Sequence, residues 1–304
     1  RLSAAHGGAV FPSVEALLAE APDVTVVATP HNLLAELSCA ALAAGSHVLV
    51  EKPAGIGVAD VTRIAAAAEA AGRLVKVGFN KRFHPAIARA VSEARSGEFG
   101  EIMFVRARYG HGGRLGYERE WRMRPELSGG GEMTDQGMHL LDLYHWLLGE
   151  LPVHSALLRT QFWDAPVEDN AVLVLGEPGD RSAPWGTFHV SWTEWKNMFS
   201  LEIYCVRAKL VVDGLTGSYG DQQLTIFRMS EQLGPPARED IAYPSGDVSW
   251  EGEWRHFTAA IRSSAANADL LGGLDSAAYA WRCIERAQAL NGYRAGTEEE
   301  NLTQ

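Results

Sequence analysis

The chain has 304 residues, 46% hydrophobic and 21% charged, with 38 Asp and Glu against 27 Lys and Arg and a formal net charge of −11. That balance fits two globular domains with a large core and argues against disorder. It also argues against nucleic acid and anionic membranes as main partners, and no apolar run reaches the length of a membrane span.

Strands and helices alternate at first. Helices are predicted over 13–20, 33–44 and 58–71, and strands over 24–28, 47–50 and 74–78. Such alternation implies a parallel sheet with helices on its faces. A helix over 85–94 follows. From about residue 100 the pattern changes, with strands predicted over 102–109, 154–162, 169–175, 185–195, 200–206, 209–213 and 224–229. These make a large, mostly antiparallel sheet, interrupted by a helix over 134–148. Helices over 250–263 and 274–290 close the pattern, and the polar stretch 297–304 is predicted to fray. The expected fold is therefore α/β plus α+β, with a parallel-sheet domain over 1–80 and an α+β domain over 81–304. Val190, Trp192, Leu201 and Ile203 alternate with polar neighbours. They are candidates to line an open sheet face for a second subunit, and packing on the chain's own helices is the alternative. Cys39, Cys205 and Cys283 form neither a disulfide framework nor a zinc pattern, which fits a reducing cytoplasm.

Two segments carry chemistry. The apolar run over 46–50 opens directly into Glu51-Lys52-Pro53. Open α/β sheets bind ligands beyond the carboxyl ends of their strands, and a lysine there is well sited for proton transfer. The second segment starts at Gly129-Gly130-Gly131, read as a pliant loop that lets backbone approach a ligand. Along the helix that follows, Asp135 and His139 are four residues apart and His139 and Asp142 three apart. At that spacing all three share a face, and a carboxylate beside an imidazole fixes its tautomer for general-base work. Together with His145 the same groups have a spacing that permits a metal. Metal sites usually draw ligands from several elements, so no metal is expected. Trp121 and Arg122 set an aromatic ring beside a guanidinium, which suits a sugar ring and an anionic substituent.

These two segments, in this order, resemble the Gfo/Idh/MocA family (glucose–fructose oxidoreductase and inositol dehydrogenase). Stretches 26–36, 77–85, 100–109, 210–214 and 250–257 resemble its other landmarks, so the likeness covers nearly the whole chain. The resemblance implies a Rossmann-type domain, NAD or NADP as cofactor, and a dehydrogenase acting on a sugar, sugar derivative or cyclitol. It implies Lys52 and His139 as catalytic groups, with Asp135 orienting His139 and binding substrate. It implies Thr29, Pro30, His31, Glu51, Lys52 and Asn80 near the cofactor, and Asp142, Trp121, Arg122, Trp195 and Asn197 near the carbohydrate. A homodimer or homotetramer through the open sheet face is expected. An NAD-dependent glycoside hydrolase and a non-catalytic sugar-binding or regulatory relative are the alternatives on the same fold.

Two departures stand out. The family opens with a strand, a Gly-x-Gly-x-x-Gly turn and a helix, and none of these is found here. The parallel domain is therefore expected to be N-terminally incomplete by roughly 50–60 residues, the size of such a unit. Leu34 stands where relatives often carry histidine, and His31 where they carry asparagine.

Overall fold

The structure, a computed structural model, describes residues 2–293 apart from 231, 245, 264–265 and 268–269, so the stretch 297–304 lies outside the described residues. Two short helices, α1 (Leu2–His6) and α2 (Val14–Leu18), come first. Then β1 (Val24–Val27), α3 (His31–Ala43), β2 (His47–Val50), α4 (Val58–Ala71) and β3 (Val75–Val77) alternate as expected. The three strands pair in parallel in the order β1-β2-β3. Val48, Val50, Val75 and Val77 are fully buried, the mark of strands covered on both faces.

A 3-10 turn, Asn80–Phe83, leads to α5 (Pro85–Arg95). Proline suits that first helical position, because it lacks the N–H that would go unpaired there. Next come β4 (Ile102–Gly110), the short α6 (Pro125–Ser128), a π-helical turn over Met133–Gly137, and α7 (Met138–Leu148). Strands β5 (Val153–Arg159), β6 (Asn170–Leu175), β7 (Trp185–Ser191), β8 (Met198–Cys205), β9 (Ala208–Asp213), β10 (Gln222–Arg228) and β11 (Ala237–Tyr243) complete the second sheet. Its order is β11-β10-β9-β8-β4-β7-β6-β5. All neighbours are antiparallel except β4 and β7. Helices α8 (Ser249–Arg262) and α9 (Leu274–Leu290) follow. Among the described residues no helix is long and apolar enough to cross a membrane.

The differences from the sequence expectation have local causes. Strand β11 is an edge strand of mostly exposed polar residues, so it shows no apolar alternation. The chain leaves the sheet after Arg159, where the Asp169 carboxylate accepts the N–H groups of Gln161, Phe162 and Trp163 at 3.0, 2.8 and 3.0 Å. The open sheet face is not the expected one. Val190, Leu201 and Ile203 are fully buried in the core on the side covered by α5 and α7, and Trp192 packs with Tyr117 and Trp163. The uncovered face instead carries Phe104 stacked between Trp185 and Tyr204, at ring centroid distances of 4.8 and 4.1 Å.

The last two helices return to the first sheet. Phe257 and Ala260 of α8 pack on Leu49 and Leu74. On α9, the Trp281 indole N–H donates to Pro53 O at 2.8 Å, and the Glu285 carboxylate accepts the Val58 N–H at 2.8 Å.

Asp142, expected near the substrate, is used in this docking instead. Its carboxylate takes a bidentate pair of bonds from Arg82 (Nε 2.9 Å, Nη2 2.7 Å) and one from the Ser276 hydroxyl at 2.7 Å. The pair joins the 3-10 turn, α7 and α9 with Asp142 0% and Arg82 5% exposed. Removing one partner of a buried pair strands the other charge. Asp142→Ala should therefore lower unfolding stability by about 3–5 kcal/mol in urea titrations.

Candidate active site

Parallel strands end on the same side, so the loops after β1, β2 and β3 converge. Ala28, Thr29 and Pro30 follow β1, Glu51 and Lys52 follow β2, and Asn80 and Lys81 follow β3; all seven line one cleft of about 470 Å³. His31, Trp121, Arg122, Asp135, His139 and Trp250 form the rest of its wall. A larger depression of about 590 Å³ lies between α9 and the start of β5, but it lacks this acid–base set.

The centre of the cleft is an ion pair. Lys52 Nζ donates to Asp135 Oδ1 at 2.6 Å and to the Asp135 backbone oxygen at 2.7 Å. The geometry depends on the π-helical turn. Its i→i+5 bonding breaks the α-helical register between Asp135 and His139, and Asp135 binds the lysine rather than the imidazole. The expected carboxylate–histidine pair is therefore absent, since Asp135 serves Lys52 and Asp142 serves Arg82. Arg122 also lies near Asp135, with Nε 3.8 Å from Oδ2, and its guanidinium sits 4.6 Å from the Trp121 ring centroid. Burial opposes ionisation of Asp135, but the charges of Lys52 and Arg122 win and hold its carboxyl well below the usual range.

Packing dictates the last of the three glycines before the π turn. A Cβ on Gly131 would lie 2.1 Å from the Glu168 backbone oxygen, so no other residue fits there. The Glu168 carboxylate accepts the N–H groups of Gly131 at 3.2 Å and Met133 at 3.0 Å, which anchors the start of the turn. Burial still pushes the Glu168 carboxyl up to about 7.

His139 is 8% exposed. Its Nδ1 is buried without a hydrogen-bond partner among the described residues, which leaves Nε2 as the nitrogen open to the cleft. Burial, then the charges of Lys52 and Lys81, hold its pKa well below the ordinary value, so the ring is neutral at pH 7. His31 bonds through Nδ1 to Ser128 O at 2.8 Å and packs edge-on to Trp121. Burial and the Lys52 charge bring its pKa down to about 4. Asn80 donates from Nδ2 to the Ser249 hydroxyl at 2.9 Å.

The cleft thus gathers Thr29, Pro30, His31, Glu51, Lys52, Asn80, Trp121, Arg122, Asp135 and His139. Three sequence candidates lie elsewhere: Asp142 is in the Arg82 pair, Trp195 is 67% exposed against Phe162, and Asn197 donates to the Ser218 hydroxyl at 2.7 Å. Lys81 and Trp250 were not foreseen as lining residues. Lys81 follows the end of β3 as Lys52 follows β2, and that parallel was the available signal. Trp250 has no local signal, because the fold of α8 brings it there.

Residues 1–79 match the family described as oxidoreductase family, NAD-binding Rossmann fold, and residues 87–211 match the GFO/IDH/MocA C-terminal domain. The chain belongs to the Gfo/Idh/MocA oxidoreductase family. Levoglucosan dehydrogenase of Pseudarthrobacter phenanthrenivorans is 30% identical over 173 residues, 56% of this chain and 44% of that protein. A 1-carboxy-3-chloro-3,4-dihydroxycyclohexa-1,5-diene dehydrogenase of Comamonas testosteroni is 36% identical over 159 residues, 52% of this chain and 39% of that protein. The crystal structure of aldose–aldose oxidoreductase from Caulobacter crescentus, complexed with glycerol, superposes with a TM-score of 0.74 at 26% identity, covering 90% of this chain and 78% of that one. The matched segments span less than half the length of the two curated relatives.

In this Gfo/Idh/MocA chain the neutral state of His139 is open to direct measurement. Its ring resonance should titrate well below pH 6.5 by NMR. In Lys52→Met the midpoint should rise, because a neighbouring positive charge that disfavours the imidazolium is gone. A midpoint that falls instead would contradict this electrostatic account.

Proposed function

We propose that the protein is an NAD(P)-dependent dehydrogenase acting on a ring hydroxyl of a sugar, sugar derivative or cyclitol. The observation that carries the reading is an ammonium and an uncharged imidazole, Lys52 and His139, on one cleft at the carboxyl ends of a parallel sheet. The family supports the NAD(P) part, and the relatives named for levoglucosan, a dihydroxycyclohexadiene and aldoses support the substrate class. On this reading residues 1–80 serve the cofactor, and 81–304 serve substrate and assembly.

The residues present fit such a cofactor. Three strand ends open on one cleft, and the Thr29 hydroxyl and Asn80 amide are polar groups suited to a nicotinamide amide. Thr29, Pro30, His31, Glu51, Lys52 and Asn80 would border it. When bound, nicotinamide supplies hydride exchange with the substrate carbon.

The chain's own groups then handle the proton. His139 Nε2 accepts it from the hydroxyl being oxidised, which the depressed pKa permits at neutral pH. Lys52 spends two N–H groups on Asp135 and has a third to donate to the reacting oxygen, where negative charge develops. Asp135 fixes Lys52. Trp121 and Arg122 offer a ring platform with a charged edge for the sugar.

A panel of sugars and cyclitols with NAD or NADP, followed at the NADH absorbance, tests the reading. Lys52→Met should cut kcat by about 10²–10⁴ in a folded protein. With a neutral sugar, kcat/KM should be flat around neutral pH and fall on the acid side, well below pH 6.5, where His139 takes up its proton. Near-normal turnover in Lys52→Met would remove the lysine from the mechanism.

Assembly would use the uncovered sheet face, where Trp185, Phe104 and Tyr204 form an aromatic row flanked by Arg106, Glu202 and Lys209. Sedimentation should give a dimer or tetramer, and Phe104→Asp should shift it to monomer.

A further inference from the structure

Lys81 stands apart from the other buried lysines. Lys52 is bound to Asp135, and Lys76 is bound to Glu253 at 3.3 Å and to the Val77 and Gly272 backbone oxygens at 2.8 and 3.2 Å. Lys81 lines the cleft with its Nζ 5.8 Å from the Tyr109 ring centroid. Among the described residues no carboxylate lies within ion-pair distance of it and no acceptor takes a hydrogen bond from it. Its three N–H donors are therefore available to whatever occupies the cleft.

The surrounding charge points the same way. The lining holds Lys52, Lys81 and Arg122 against Glu51 and Asp135. Burial moves Glu51 toward its neutral form, and Asp135 is matched by Lys52. Arg122 in turn lies 3.7 Å from Glu120 and 3.8 Å from Asp135, so among the described residues Lys81 is the lining cation left without an ion-pair partner. An unpaired ammonium in a half-buried site is costly unless a ligand matches it.

We infer that Lys81 determines specificity by pairing with a carboxylate on the substrate, so that the preferred substrates are sugar acids rather than neutral sugars. The inference rests on the dehydrogenase reading and names the substrate class for the same cleft. Lys81 acts here as a binding group and takes no part in moving the proton.

The charge state of Lys81 gives the inference a signature. Burial lowers its pKa to about 8, Asp247 before α8 opposes this, and Lys52 adds to it, with Asp135 and Glu51 opposing more weakly. His84 and His139, which also feel Lys81, are held neutral. The ammonium therefore predominates below about pH 8 and is lost progressively as pH rises through that value. A carboxylate partner should bind less tightly as pH rises through that value. A neutral sugar should not respond, and an arginine in place of Lys81 should keep its charge throughout.

Calorimetry on the full-length protein with NADH present provides the test. The probes are three pairs: glucuronate with glucose, galacturonate with galactose, and gluconate with sorbitol. At pH 7 at least one acid should bind about tenfold or more tighter than its neutral partner. The advantage should shrink above pH 8 in the wild type, persist at pH 9 in Lys81→Arg, and vanish in Lys81→Met with an unchanged circular dichroism spectrum. The inference is overturned if no acid is preferred, or if the preference survives in folded Lys81→Met. If an acid binds in this Lys81-dependent way but no NADH forms with any sugar in the panel, the dehydrogenase reading fails and the binding role stands. If neutral sugars are oxidised with no preference for acids, the outcome is reversed.

Discussion

An ammonium half-withdrawn from water needs a counter-charge, and Lys52 obtains its own from across the molecule. The loop after β2 supplies the lysine, and the π-helical turn 83 positions later supplies both Asp135 acceptors. The contact joins the parallel sheet to the segment leading into α7. It also fixes what the other groups can do. Asp135 is drawn away from His139, Arg122 lies beside the same carboxylate, and the lysine has one N–H left for a ligand. Such a pair holds only if its scaffold is rigid, because desolvation costs nearly as much as the attraction returns. Gly131 against Glu168 and the Arg82–Asp142–Ser276 cluster provide that rigidity on either side of the turn.

Burial then sets the protonation pattern around the pair. The same loss of water lowers His139, His31 and Lys81 and raises Glu168 and Glu132. Glu132 is wholly buried, and neither carboxyl oxygen has a partner among the described residues, which favours its neutral acid form. The neighbourhood is thus largely uncharged groups around one matched ion pair. In that setting each remaining charge is felt strongly. This is why a neutral imidazole and an unmatched ammonium in the same cleft have such different chemical meanings.

The architecture keeps these groups on well-packed elements. Helices α8 and α9 return to the first sheet, so strand ends that open on the cleft are held from behind by helices late in the chain. α7 is almost fully buried between α9 and strands β4 and β7 of the second sheet, with Tyr144 donating to Thr187 O at 2.7 Å. One end of α7 presents His139 to the cleft, while Asp142, less than one turn further on, is locked in the Arg82 cluster.

The features legible in the sequence were those with short-range causes. Apolar period and length marked β1 to β3 and the helices between them, and a buried strand opening into Glu51-Lys52-Pro53 marked the lysine. The resemblance added the order of the motifs and hence most of the cleft. Other features depended on partners far along the chain. Asp135 and Asp142 looked equivalent beside His139 at helical spacing. Yet Asp142 is claimed by Arg82, 60 positions earlier, and Asp135 by Lys52. Alternation in β7 and β8 marked two faces without saying which one the helices would cover, and polar β11 gave no periodic signal. Spacing reports which residues can share a face. Which of them meets a counter-charge, a helix or open water is set only when distant segments pack, because burial gives each charge its cost and its partner.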